Sequence, residues 1–358
     1  MDAAWSFCLQ VLERWIGPFL PLGSLFSLSS LACALCIAIA FIAVRLHRRQ
    51  RRIRLKAILR ALFPRRIASH SSGIDFSYLV FNTFIFGAMF SWAVLSFGLF
   101  SNGAIGVLTS AFGRPAAAAL PEFAMRALLT AVLFLAYEFG YWLQHYLCHR
   151  VPFLWEFHKV HHTANVLTPL TVFRVHPVDM WLFANVMAIV VGTANGVANY
   201  ALGVTMYQYA LTDTNLILVV FLHLYIHFQH SHLWIVFRGW AGHVLISPAH
   251  HQVHHSNNPV HFNKNLGSCL AVWDWMFGTL HVPAKARERL CFGVEPAGRD
   301  VQTITEAYLA SFPRAAQALR GAPPPGRAVD PRLAGEQLAE SAESGPLVAM
   351  DLAPARQT

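Results

Sequence analysis

Histidine is concentrated in two short stretches of this chain of 358 residues. Of its 19 histidines, 16 fall within residues 145–176 and 223–261. Neutral imidazole is a preferred ligand of iron, zinc, copper and nickel. Histidines scattered through a core or over a surface would not cluster in this way, so the distribution predicts a metal site.

The spacing within these stretches forms three histidine boxes. His145 and His149 make an H-x-x-x-H pair, one helical turn apart on one face. Residues 158–162 and 251–255 each read H-x-x-H-H, which directs three rings to one side of a helix. Eight unpartnered imidazoles would be costly to bury, and eight ligands exceed the coordination of one ion. The boxes therefore predict two metal ions, with the candidate ligands His145, His149, His158, His161, His162, His251, His254 and His255.

Other metal chemistries lack their sequence signatures. The boxes contain no cysteine pattern, which disfavours a structural zinc finger or an iron–sulfur cluster. The chain has neither the H-E-x-x-H of zinc proteases nor the E-x-x-H pairs of soluble di-iron bundles. An all-nitrogen ligand set beside a membrane fits iron and dioxygen chemistry on a lipid.

The composition predicts that the histidines are positioned by membrane helices. Hydrophobic residues make up 55% of the chain, charged residues only 13%, and the mean hydropathy is +0.43. A soluble domain carries about 25% charged residues. Runs without charge occupy residues 19–44, 76–100 and 180–212; residues 127–147 and 214–230 are also strongly apolar. We predict an all-α integral membrane protein with four to five transmembrane or re-entrant helices and a cytoplasmic helical cap that carries the histidines.

The path of the chain between residues 180 and 230 has two alternatives. The run 180–212 is too long for one crossing at about 1.5 Å per residue. Its stretch 192–203 is rich in Gly and Asn and is the predicted turn, either between two full spans or in a re-entrant hairpin.

A basic segment sets the predicted orientation. Residues 45–66 contain ten Lys or Arg and no Asp or Glu, directly after the first apolar run. Such a segment is typical of a cytoplasmic juxtamembrane region and argues against nucleic-acid binding. If this basic segment lies in the cytoplasm, the predicted number of later membrane crossings places both histidine-rich stretches in the cytoplasm as well. Abundant Ala and the excess of Arg over Lys indicate a bacterial source, hence the inner membrane.

Five segments follow from these patterns. We predict an anchor helix with the basic segment at 1–66, a second span and loop at 67–126, and the histidine-box domain at 127–290. A cytoplasmic segment follows at 291–320, and a tail rich in Pro, Ala and Gly, expected to be disordered, occupies 321–358.

The motifs from residue 137 to residue 282 resemble the fatty acid hydroxylase/sterol desaturase superfamily of membrane di-metal oxygenases. The motifs are Glu138-x-x-Tyr141-Trp142-x-x-His145, His149-Arg-x-Pro-x-Leu-Trp-x-Phe-His158-Lys-Val-His-His162, Arg174-Val-His176-Pro177-x-Asp179, Phe228-Gln-His230-Ser, Pro248-x-x-His251-x-x-His-His255-Ser, Asn265-Leu-Gly267 and Trp273-Asp274-x-x-Phe277-Gly278-Thr279. The resemblance implies two iron ions, dioxygen as co-substrate, and the eight box histidines together with His230 as catalytic metal ligands.

Further residues carry weaker expectations. His227 lies one turn before His230 and is predicted either as an extra ligand or as a pore-lining residue. Glu138 is on the His145 face and is expected to orient that ring or to lie at the bilayer edge. His176 and Asp179 are predicted to lie behind the ligands, to shape the substrate mouth or to cap the next span, and Asn265 to support the site.

The predicted function is hydroxylation of a C–H bond in a membrane lipid, at a fatty acyl, sterol-like or head-group carbon. Desaturation on the same site is the nearest alternative, and a metal transporter or a haem cytochrome are the alternatives from other classes. The chain has no G-x-G-x-x-G motif and no fused cytochrome signature, so we expect an external electron donor. A ferredoxin, a cytochrome b5-like protein or a reductase would serve.

Overall fold

The computed structural model describes residues 16–24, 26–86, 95–211, 213–294 and 303–321. Nearly all regular structure among them is helical, as predicted, with one two-stranded hairpin of β1 (Ala210–Leu211) and β2 (Thr214–Asn215). The helices are α1 (Leu28–Arg48), α2 (Leu55–Leu62), α3 (His70–Val80), α4 (Phe97–Phe112), α5 (Glu122–Arg150), α6 (Pro152–His162), α7 (Pro177–Leu202), α8 (Leu216–Gln229), α9 (Trp240–Val244), α10 (Pro248–His254), α11 (Val272–Met276) and α12 (Ile304–Leu319). Short 3-10 turns occupy Gly17–Phe19, Arg65–Ile67, Pro169–Phe173 and Pro259–His261, and π-helical stretches occupy Phe81–Phe86 and Leu222–Ile226.

Three described helices are long and apolar enough to cross a membrane: α1, α5 and α7. Two shorter apolar helices, α4 and α8, accompany them. Local sequence sets their ends. The Ser27 side chain accepts a hydrogen bond from the Ser30 amide at the start of α1, and the basic residues of its last turn favour the negative end of the helix dipole.

The prediction of a turn within 192–203 is wrong except at the end of this stretch. Helix α7 runs without interruption through Gly192 and Gly196 and ends only at Gly203, which adopts a left-handed conformation. These two glycines serve packing instead, because a Cβ at Gly192 would lie 2.7 Å from the Phe97 carbonyl oxygen of α4. Small residues let helix backbones approach closely inside a bilayer. The chain still forms a hairpin: the long helix α7 leads away from the histidines, and the shorter helix α8 leads back to them.

The charge-free run 76–100 is not one helix. Its first part lies within the end of α3 and the π-helical stretch Phe81–Phe86. Residues 87–94 lie outside the described residues. A new helix, α4, starts at Phe97 after Ser96, whose side chain accepts from the Leu99 amide. The absence of charged residues predicts apolar surroundings, but it does not indicate that one helix ends and another begins within the run. The predicted tail 322–358 and residues 1–15 also lie outside the described residues.

The functional residues gather at one end of the long helices, where α5 ends and α7 begins. Helices α6 and α9–α12, with the described residues of the loops between them, cover this end, and we call them the cap. Phe157 of α6 packs against Phe312 of α12, with ring centroids 5.5 Å apart. At the opposite end, Asn215 donates to the Thr130 carbonyl, 2.8 Å away, early in α5.

The basic segment lies at the same end as the cap. Helix α2 packs through Ile58, Ala61 and Leu62 against the cluster that contains Leu233. The Ala61 carbonyl oxygen is 2.7 Å from Nε2 of His232. The basic segment and the residues that follow His230 are thus neighbours in space.

Candidate metal centre

Nine buried histidines converge at the capped end in two adjoining groups. The first group is His145, His149, His158, His162 and His254, and the second is His161, His230, His251 and His255. In each group the ligand nitrogens lie within 4.8 Å of one another. The groups adjoin where the rings of His162 and His255 have centroids 4.6 Å apart. The structure therefore brings together the eight box histidines and His230, in an arrangement suited to two ions.

The four histidines of the second group point Nε2 atoms at a common centre. Nε2 of His230 lies 3.1 Å from that of His161, 3.1 Å from that of His255 and 2.9 Å from that of His251. Ligands around an ion that binds nitrogen at about 2.0–2.1 Å are spaced similarly. Burial without an ion would leave these lone pairs facing one another, so the donor set fits a metal.

In two ligands of the first group, the ring nitrogen that faces away from the centre already has a hydrogen-bond partner. Nδ1 of His145 is 2.8 Å from the Leu266 carbonyl oxygen, and Nδ1 of His254 is 2.9 Å from the Lys264 carbonyl oxygen. Carbonyl oxygens only accept, so each Nδ1 donates and each Nε2 keeps its lone pair. Within this group, the buried Nε2 atoms of His145, His158, His162 and His254 have no hydrogen-bond partner among the described residues.

Asp179 at the start of α7 orients His158. Its Oδ2 lies 2.8 Å from Nδ1 of His158, while Oδ1 accepts a 2.6 Å hydrogen bond from Gln144. A carboxylate behind a ligating imidazole fixes the ring and raises its basicity. Both side chains are buried, and the sequence analysis had placed Asp179 behind the ligands, at the substrate mouth or as a cap of the next span.

Burial keeps the histidines outside the spans neutral. The pKa of His230 falls to about 3 because the ring is desolvated, and that of His254 falls to about 3 for the same reason. Desolvation first, and neighbouring imidazoles second, also lower the pKa of His161, His251 and His255. Neutral imidazole is the form that binds metals.

Glu138 does not contact His145. Its Oε2 accepts hydrogen bonds from the amides of Cys269, at 2.9 Å, and Leu270, at 2.7 Å. The loop that it holds also presents the Leu266 carbonyl to His145. Glu138 thus supports the site through the loop backbone and lies at neither the ring nor an exposed bilayer edge.

The remaining predicted residues have separate places. Nε2 of His227 lies 3.0 Å from Oγ of Ser30 in α1, and His227 belongs to neither metal group. His176 caps α7, where its Nδ1 accepts from the Val178 amide. Asn265 donates to the carbonyl oxygens of His250 and His281, 3.0 and 2.9 Å away, and so ties two parts of the cap.

An apolar cavity of about 620 Å³ leads from the histidines into the helix bundle. His145, His158, His161 and His230 line one end, and Gly23 and Thr214 line it further along the bundle. Aromatic and aliphatic side chains form most of the wall: Tyr137, Tyr141, Val172, Phe173, Val175, Met180, Phe183, Ala184, Leu218, Leu222 and Ile226. The metal centre therefore lies at the end of a pocket suited to an alkyl chain.

Sequence analysis missed an ion pair that supports the second group. Arg174 donates from Nε to Asp75 of α3 over 2.6 Å, and both side chains are buried. The Arg174 carbonyl oxygen lies 3.2 Å from Nδ1 of His161. A signal was present, since Asp75 directly precedes a long run without charge and Arg174 lies in one of the family motifs.

Comparison with known proteins gives a match over the same region. The family model described as fatty acid hydroxylase matches residues 130–279. An alkylglycerol monooxygenase of Xenopus tropicalis is 29% identical over 164 residues, 45% of this chain and 32% of that protein. The human alkylglycerol monooxygenase is 26% identical over the same share of each chain. An ornithine lipid hydroxylase of Rhizobium tropici is 26% identical over 151 residues, 41% of this chain and 40% of that protein.

The match to the alkylglycerol monooxygenases spans about a third of their length. No solved structure matches this chain.

Proposed function

We propose that this protein is a membrane-bound, dioxygen-dependent enzyme that hydroxylates a C–H bond of a membrane lipid, as the match of residues 130–279 to the fatty acid hydroxylase family model supports. One observation carries the proposal: two converging groups of neutral, buried histidines lie at the end of an apolar cavity. The family resemblance inferred from the motifs is confirmed by the family match and by the similar lipid hydroxylases.

The donor set fits two iron ions. The first would be held by His145, His149, His158, His162 and His254, and the second by His161, His230, His251 and His255. When bound, iron with dioxygen and two external electrons supplies the oxidation of an unactivated C–H bond. The protein contributes fixed ring orientations, through Asp179 and the backbone carbonyls, and keeps the ligands neutral by burial.

The cavity supports a lipid with an extended alkyl chain as the substrate. Tyr137 and Tyr141 form a stripe one turn apart along α5 that leads to His145, and both rings contact Phe183 of α7. Such walls position one carbon near the histidines and exclude water, which favours oxidation of the lipid over side reactions. The names of the relatives, for alkylglycerols and ornithine lipids, support a lipid of this kind as the substrate.

The orientation proposal rests on the basic segment. Its position beside the cap, together with the positive-inside rule, supports a cytoplasmic location for the histidines. A cytoplasmic electron donor would then reach the cap directly. The inner membrane of a bacterium, inferred from composition, is the proposed location.

The geometry disfavours the two other classes. A transporter would place ligands near the middle of opposed spans, whereas these ligands lie where α5 ends and α7 begins. A haem would have to lie between its two axial histidines, whereas the Nε2 atoms of the second group are 2.9–3.1 Å apart, too close for a macrocycle between them. Nothing in the described residues favours desaturation over hydroxylation.

The test is lipid mass spectrometry of aerated cells that express the wild type or a His254→Ala/His255→Ala control. We expect one lipid class to gain a single oxygen in cells with the wild type only. Loss of two hydrogens instead would establish a desaturase. An unchanged lipid profile with an iron-loaded protein and a supplied electron donor would contradict lipid oxidation.

A further inference from the structure

A third group of metal-binding side chains lies in the cap, apart from the nine histidines. His261, His281 and Glu288 place one ligand atom each within 4.8 Å of one another. His261 ends the 3-10 turn Pro259–His261, whereas His281 and Glu288 follow helix α11. We propose that these three residues bind a divalent transition metal ion such as zinc, as a site separate from the catalytic centre.

His261 is the residue that most needs a ligand. Its side chain is buried, with 5% of the residue exposed, and its Nδ1 has no hydrogen-bond partner among the described residues. Its Nε2 lies 3.6 Å from Oε2 of Glu288, which is longer than a hydrogen bond. A buried imidazole without hydrogen bonds costs free energy. A bound metal ion would remove this cost.

The other two ligands are held in place by their surroundings. The Asn265 side chain accepts from the His281 amide at 2.7 Å and donates to the His281 carbonyl at 2.9 Å. Oε1 of Glu288 accepts from the Ala284 amide at 3.2 Å, which leaves Oε2 directed at His261. The rings of His261 and His281 are arranged edge to face, with centroids 5.1 Å apart. Supported ligands of this kind are expected around a metal ion.

The ligand types indicate the class of metal. Two imidazoles and one carboxylate suit zinc or another late divalent transition metal, whereas calcium and magnesium prefer oxygen ligands. Zinc binds these atoms at about 2.0–2.2 Å, so a small rotation of the Glu288 side chain completes the site. That side chain is 26% exposed, which provides an entry path and a position for a water ligand.

The proposed metal site would stabilise the loop that contacts His254 of the catalytic centre. The Lys264 amide donates to the His261 carbonyl at 3.3 Å, and the Lys264 carbonyl accepts from His254 at 2.9 Å. A metal ion on His261 would therefore tie the loop that orients His254 to the segment containing His281 and Glu288.

The test counts metal in the full-length protein in detergent, after equilibration with zinc sulfate and desalting. We compare the wild type with His281→Ala, Glu288→Gln and the control His243→Ala. His243 is an exposed histidine of the same cap, whose Nδ1 bonds to the Gly239 carbonyl of its own turn. We expect His281→Ala to lose one equivalent of zinc per chain, with the same iron content as the wild type, and His243→Ala to lose none.

Glu288→Gln keeps the size of the side chain and removes its charge, and we expect it to weaken zinc binding by at least about 10-fold. This variant decides the question if His281→Ala fails to fold. Equal zinc in the wild type, His281→Ala and Glu288→Gln would overturn the proposal. Loss of iron without loss of zinc would also overturn it, because the residues would then serve the nine-histidine centre and not a site of their own.

Discussion

At the scale of single residues, the site depends on the atoms that stand behind the ligands. Asp179 holds His158, while backbone carbonyls of Leu266 and Lys264 hold His145 and His254. These contacts select the ring form that leaves Nε2 available. A change in such a contact alters metal affinity without removing a ligand.

Asp179→Asn should lower activity and iron affinity by about 10- to 100-fold, because the amide no longer supplies a charged acceptor to His158. Iron content by elemental analysis and product formation in the lipid assay measure this effect. The matched control is Asp213→Asn, an exposed position with a positive backbone angle that asparagine also tolerates. Full iron and full activity in Asp179→Asn would contradict the assigned role.

The stability of the metal-depleted protein should fall as the pH drops below about 6.5. In the folded state, burial lowers the pKa of His230 and His254 to about 3, whereas unfolded histidine titrates near 6.5. The unfolded state therefore binds more protons between these values, so acid favours unfolding. Thermal unfolding at pH 7.5 and 5.5 measures the effect, and an iron-loaded sample should show the smaller shift. A midpoint independent of pH in the depleted protein would contradict neutral, buried rings.

At the scale of elements, the long helix α7 fixes the geometry on both sides of the cavity. Its first turn carries Asp179, its second turn lines the cavity through Phe183, and Gly192 and Gly196 pack against α4. The glycines allow an approach so close that the backbone of α4 occupies the space of a side chain. Contacts of this kind replace the hydrophobic effect as the source of helix association in a bilayer.

Gly196→Ala should destabilise the protein by about 1–3 kcal/mol, because its Cβ would overlap the Ser101 carbonyl oxygen and the Ala104 side chain. The control is Gly106→Ala on α4, where nothing lies within 4 Å of the added carbon. Thermal unfolding in detergent compares the two variants. An unchanged midpoint in Gly196→Ala would mean that α4 and α7 do not pack as closely as described.

The sequence predicted which histidines converge, but it predicted the long-range partners of the site residues poorly. Imidazoles at i, i+3 and i+4 must share a helix face, so the boxes could be identified from local spacing alone. Their division into groups of five and four depends on how α6 and α10 meet, which local spacing does not encode. Gly192 and Gly196 were misread because glycine favours both turns and close packing. Glu138 was assigned to a ring on its own helix, although its partners are amides more than 130 residues later.

At the scale of the whole molecule, the cavity connects the metal centre with the interior of the helix bundle. It passes between α5, α7 and α8, and Thr214 on its wall donates to the Gly23 carbonyl at 2.8 Å. The distance from Thr130 to His145 along α5 corresponds to about 22 Å of helix. An alkyl chain inserted along this path would present a defined carbon to the histidines.

Ala184→Phe should abolish lipid hydroxylation with no loss of iron, because the larger ring fills the cavity beside Phe183. Val197→Phe, at a lipid-exposed position of the same helix that does not line the cavity, is the control. Lipid analysis and iron content distinguish the outcomes. Wild-type hydroxylation by Ala184→Phe would show that the substrate takes another route.

Carbonyl oxygens of Leu266, Lys264 and Arg174 receive the outer nitrogens of three ligands, and every amino acid possesses such a carbonyl. At Leu266 and Lys264, replacement of the side chain leaves the acceptor in place as long as the loop keeps its course. The geometry of the centre thus depends on the backbone course of the loop, because the ligands contact its backbone atoms and not its side chains. A saturation mutagenesis screen would read the partly exposed position 264 as tolerant and the buried position 266 as dependent on an apolar side chain, although both contribute the same backbone atom to a ligand.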